Sequence, residues 1–68
     1  MKFRERFCEL LRNCGKSQVE IAQAIGVSKQ CVSDYKAGKS LPSFDTLVKI
    51  CKFLDVSSDY LLGIDDEY

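Results

Sequence analysis

Apolar residues return along this chain at intervals of three and four, without strand-like alternation, and all four glycines and the one proline fall where a helix would stop or turn. Phe3, Phe7, Leu10, Leu11 and Cys14 have the spacing of one helical face, and Gly15 supplies the left-handed stop that helices favour just past their ends. Ser17, followed three residues later by Glu20, predicts a capping box ahead of a second helix that carries Val19, Ile21, Ala22 and Ile25 and ends at Ala24 or Ile25. Gly26, Val27 and Ser28 make a short connection in which Ser28 caps a third helix, running to Ala37 and stopping at Gly38. Ser43 is the next cap, with Asp45 well placed for the helix dipole. Phe44, Leu47, Val48, Ile50, Cys51 and Leu54 make the fourth helix strongly apolar, and its apolar faces are expected in the core. Ser57 or Ser58 begins a short fifth helix with Tyr60, Leu61 and Leu62, ended by Gly63; these three and Ile64 fit the core or a dimer seam equally well. The expected fold is all-α, a compact five-helix bundle.

Sixty-eight residues hold one domain, near the lower limit for a core without metals or disulfides. We place it over residues 1–64, followed by a short acidic tail, 65–68, expected to be mobile. Lys and Arg equal Asp and Glu at ten each, so no overall positive charge points to nucleic acid. Three of the acids lie in the tail, however, and residues 1–64 hold ten bases against seven acids, a net +3. Cys8, Cys14, Cys31 and Cys51 contain no C-x-x-C pair, and without histidine a structural metal is not expected. They read as free thiols in a reducing cytoplasm, packed as small hydrophobes. No apolar run is long enough to span a membrane, which makes a soluble, cytoplasmic protein the expectation. No cofactor or small-molecule ligand is evident. An enzyme is disfavoured: there is no histidine, no glycine-rich phosphate loop and no base beside a cysteine.

The second and third helices carry the chemistry. Ala22 is small enough to let two helices approach, Gly26 suits the positive φ of a tight turn, and Val32 plugs the angle between the helices; Ile21, Ile25 and Tyr35 complete the inward side. At about 100° per residue, Lys29, Gln30, Ser33 and Ala37 share one side of the third helix, and Ser28, Cys31, Val32 and Tyr35 the opposite one, with Asp34 and Lys36 on the flanks. The outer side is thus small and polar near the helix N-terminus, where base edges are met in a major groove; Lys29 suits guanine, and Gln30 suits a bidentate pair with adenine. The competing reading is a merely solvated polar face.

The stretch SQVEIAQAIGVSKQCVSDYKAGKSLPSFDTLVKICKFLDVSSDYLLG resembles the DNA-binding domain of the Cro/C1-type phage repressors, also called the xenobiotic-response-element family of bacterial regulators. The likeness covers Phe3 to Gly63. It implies a lambda-repressor-like domain that binds double-stranded operator DNA, usually an inverted repeat, as a homodimer, and that regulates transcription, most commonly as a repressor. By position, Lys29, Gln30, Ser33 and Asp34 match the family's base-facing sites. Gln18 matches its backbone-contacting residue, and Ser28, Lys39, Ser40 and Ser43 fall where the family meets phosphates. Two departures stand out. An arginine and glutamate paired in many relatives are here Leu11 and Lys36, which suggests apolar packing and a Lys36 able to approach a phosphate. Asp34 stands where neutral or basic readers are more usual; it either accepts from a cytosine amino group or turns aside to Lys29, Lys36 or solvent.

Lys16, Lys29, Lys36 and Lys39 against Glu20 and Asp34 leave +2 across residues 16–40, which suits weak monomer binding strengthened by dimerisation. A rival reading keeps the fold as a protein interaction module, for example an antitoxin-like partner with weak DNA binding.

Overall fold

Four serines begin four of the five helices. The computed structural model describes residues 1–67, so Tyr68, at the end of the acidic tail, lies outside them. The helices are α1 (Phe3–Asn13), α2 (Gln18–Ile25), α3 (Lys29–Ala37), α4 (Phe44–Leu54) and α5 (Ser58–Leu62), with no strand among the described residues. Ser17, Ser28, Ser43 and Ser57 each accept from the backbone N–H three residues on, at Glu20, Cys31, Thr46 and Tyr60. Each such cap contributes on the order of 1 kcal/mol by satisfying a donor the helix leaves orphaned. At Ser17 the cap is reciprocal, since its backbone N–H donates to the Glu20 carboxylate at 3.2 Å. That bond, followed by the Ser17 hydroxyl and the charge of Lys16, holds the Glu20 carboxyl below its ordinary pKa.

The core forms where α1 crosses α3 and α5 and α2 crosses α3 and α4. Phe3 and Phe7 stack at 5.1 Å between centroids, and Tyr35 meets both rings edge-on at 6.2 and 6.0 Å. Such pairs add about 0.5–1.5 kcal/mol beyond the burial itself. Leu11, Ile21, Ala22, Ile25, Val32, Ile50 and Leu61 close around them. Burial, aided by a hydrogen bond with Cys31, pushes the Tyr35 phenol up to about 12.

Two expectations need correction. Of the apolar residues of α4 only Ile50 is fully enclosed; Phe44 is 88% and Val48 52% exposed. At about 100° per residue, Leu47 and Leu54 lie beside Ile50, whereas Phe44 and Val48 lie roughly 120° and 160° round from it and face away from the bundle. The cysteines are free thiols, all half-buried rather than enclosed, with Cys14, Cys31 and Cys51 packed against the rim of the core. Near the acidic tail, Arg6 donates to the carbonyls of Tyr60 and Asp65, both at 2.6 Å, and to the Asp66 carboxylate at 2.7 Å. Of the residues read as core or seam, Tyr60 and Leu61 are buried, Leu62 is half-buried and Ile64 is exposed.

Candidate nucleic-acid interface

Gly26 sets the angle between α2 and α3. Its φ of +73° lies in the left-handed region, its N–H caps α2 at the Ala22 carbonyl, and Val27 N–H donates to the same carbonyl at 3.0 Å. Ala22 and Val32, 4% and 0% exposed, fill the space between the two helices. A side-chain bond then fixes their outer edges: the Gln18 amide donates to the Lys29 carbonyl at 3.0 Å and to the Ser33 hydroxyl at 2.8 Å.

That arrangement turns one end of α3 outward. Lys29 and Gln30 are exposed, while Ser33 and Asp34 are half-buried beside them and Val32 and Tyr35 face the core. Ser33, accepting from Gln18, keeps its own hydroxyl proton for another acceptor. Asp34 turns neither to Lys29 nor to Lys36: its carboxylate accepts from the Gln30 side-chain amide at 3.0 Å, one helical turn away. Of the residues matched to phosphate contacts, Lys36, Lys39 and Ser40 are exposed. The Ser28 and Ser43 oxygens are already engaged as helix caps, and Ser43 also donates to the Thr46 hydroxyl at 3.1 Å. Lys39 is held by its backbone N–H, which donates to the Asp34 carbonyl at 2.9 Å in the turn around Gly38.

The place of the missing arginine–glutamate pair is filled differently. Leu11 is buried, and the Lys36 carbonyl accepts from Arg4 at 3.1 Å and from the Cys8 thiol at 3.4 Å, so α1 supports the last turn of α3 through its backbone. Above this lies a cleft of about 190 Å³ lined by Cys8, Leu11, Arg12, Lys16, Gln18, Ile21 and Lys36, three of them cations and none an acid. Arg12 was not among the residues singled out from the sequence. The available signal is its place one turn after Cys8, on the side of α1 that meets α3.

A second surface feature lies away from α3. Phe44, Leu47, Val48, Cys51 and Val56 line a shallow apolar groove with Lys52, Ser57 and Ser58 at its edge. Among the described residues no helix is long and apolar enough to cross a membrane.

Comparison with known proteins gives the family. The chain is 36% identical over 63 residues to the cryptic phage CTXphi transcriptional repressor RstR of Vibrio cholerae, covering 93% of this chain and 56% of the repressor. It is 33% identical over 66 residues to the transcriptional regulator ImmR of Bacillus subtilis, covering 97% of this chain and 52% of that protein. With the transcriptional activator BcrR of Enterococcus faecalis it shares 32% identity over 63 residues, 93% of this chain and 31% of the activator. The chain thus spans about half the length, or less, of these curated relatives. No solved structure gives a significant match. The helix-turn-helix family model matches residues 9–61, which include α2, α3 and α4 entire, and the chain belongs to that family in its Cro/C1 form.

Proposed function

We propose that this chain is the operator-reading domain of a cytoplasmic, bacterial or phage-encoded transcriptional regulator, most simply a repressor. The observation that carries the reading is the Gln18 clamp, which fixes α3 by Lys29 and Ser33 while leaving the Lys29 and Gln30 side chains exposed at the same end. In this reading Lys29 and Gln30 meet base edges in the major groove, with Ser33 beside them. Ser28, whose hydroxyl only accepts in its cap, and Lys36, Lys39 and Ser40 meet the phosphates through their side chains, Gln18 and Ser43 through the backbone N–H groups at the starts of α2 and α4, and Arg12 and Lys16 extend that contact along the cationic cleft. Sequence-independent attraction then comes from a local footprint rather than from net charge.

The apolar groove on α4 favours a protein contact, and we assign it to a second copy of this chain. About a two-fold axis through Val48, antiparallel α4 helices would set Phe44 of one copy against Lys52 of the other, with Asp45 beside the same lysine. Val48 then meets its own copy, and the Phe44 ring can lie along the Lys52 stem with the ammonium near Asp45.

Selection of bound duplexes from a random DNA pool at near-physiological salt tests the reading. An enriched inverted repeat with half-site centres about one helical turn apart is expected. Failure of folded protein to enrich any sequence would overturn it in favour of an interaction module.

A further inference from the structure

The contact between Gln30 and Asp34 has a bearing on which base is read. An amide side chain presents one acceptor and two donor hydrogens, and a turn about its last bond exchanges the two ends. To pair with adenine, Gln30 must accept from N6 and donate to N7 at once. Its Nε2 already donates one hydrogen to Asp34 Oδ1 at 3.0 Å. A carboxylate accepts only, so the reversed amide would set two oxygens against each other. The bond therefore leaves Gln30 with its second N–H and its Oε1 available, the pair that adenine requires.

We propose that Asp34 is not itself a base contact but a positioning residue, which holds the Gln30 amide in one orientation and so narrows the base that Gln30 accepts. This rests on the operator-reading function proposed above. Asp34 suits the task because it lies one turn after Gln30 on the same side of α3, is half-buried, and keeps its backbone fixed through the bond from Lys39 N–H. A negative charge near phosphates weakens binding to every sequence, and in exchange the amide is oriented before DNA arrives.

The test is duplex selection with the wild type, Gln30→Ala, Asp34→Ala and Asp34→Asn, each first shown to be folded by a thermal melt. Gln30→Ala should lose a preference of roughly five- to a hundredfold at one base pair per half-site, the range expected for a bidentate contact. Asp34→Ala should lose preference at that same base pair, by about three- to tenfold, with the others unchanged. Asp34→Asn, whose amide can accept from Gln30 or donate to it and so no longer fixes which end of Gln30 faces it, should lose preference at that base pair as Asp34→Ala does, while binding all duplexes more tightly. Retention of the wild-type profile by Asp34→Ala would overturn the proposal, as would loss at a base pair that Gln30→Ala leaves intact, because Asp34 would then be a reader in its own right. An unchanged profile in Gln30→Ala would overturn it too. If the wild type itself enriched nothing, the operator-reading function would fail first and the proposal with it.

Discussion

The side chain of Gln18 donates to the hydroxyl of Ser33 at 2.8 Å, joining the first residue of α2 to the exposed side of α3. With its second bond, to the Lys29 carbonyl, it makes both of the side-chain hydrogen bonds described between these helices. Gln18→Ala should lower stability by about 1 kcal/mol, near the middle of the range for a partly exposed hydrogen bond. Its effect on DNA should exceed that loss and be larger for the enriched duplex than for the unrelated one, because the reading end of α3 would no longer be held against α2. Thermal denaturation and binding of an enriched and an unrelated duplex measure both effects.

Gly26 makes a second prediction. A Cβ added there would meet only the end of the Lys49 side chain, at 3.3 Å, which can move, so space is not the obstacle. The obstacle is the φ of +73°. Gly26→Ala should therefore cost about 1–2 kcal/mol, the penalty of a left-handed conformation for a residue with a Cβ, as measured by denaturant unfolding. A loss well above that range would mean that the turn had been rebuilt.

Much of this was readable in advance because it is local. Ser17, Ser28, Ser43 and Ser57 cap the helices they precede, and Gly26, Gly38 and Gly63 take the left-handed stops after α2, α3 and α5, since a cap needs only a residue type at a fixed offset. The apolar content of α4 was equally legible, but not how much of it the rest of the bundle covers. Periodicity shows that Phe44 and Val48 are apolar; it does not show that neither α2 nor α5 reaches them. The partners of Arg6 lie 54 to 60 residues away, beyond the reach of spacing arguments. The Gln30–Asp34 contact is different. Its interval of four is visible in the sequence, but Lys29 and Lys36 compete there for the same carboxylate, and spacing alone does not choose among the three.

Arg6 makes the acid stability of the domain testable. Its guanidinium lies 4.2 Å over the Tyr60 ring and pairs with Asp66, and this pairing, with help from Lys2, holds the Asp66 carboxyl below its ordinary 3.8. A carboxyl depressed in the folded state contributes stability above its unfolded pKa and loses that contribution as pH falls through the folded one. The Asp66 contribution should therefore be complete at neutral pH and disappear below pH 3.8. Asp66→Asn should flatten the fall in melting temperature over that acid window, with Glu20 and its Ser17 cap supplying a further part of the fall. An identical acid profile in Asp66→Asn would show that the tail is not held by this pair.

The cationic cleft yields a salt prediction. If Arg12 and Lys16 extend the phosphate contact, the double variant Arg12→Ala, Lys16→Ala should reduce the slope of log affinity against log salt by about 1–2 per domain, without altering which sequence is preferred. Neither residue belongs to the core, so the melting temperature should change little. A changed sequence preference with an unchanged slope would contradict the assignment.

Backbone amide shift mapping by NMR, during titration with an enriched duplex, shows most directly which surface of the domain meets DNA. We expect the largest changes at Gln18, over Ser28–Asp34 and over Lys36–Ser43, with Arg12 and Lys16 following and the centre of α1 unaffected. Changes confined to α4 around Phe44 and Val48, with α3 silent, would contradict the claim that α3 reads DNA.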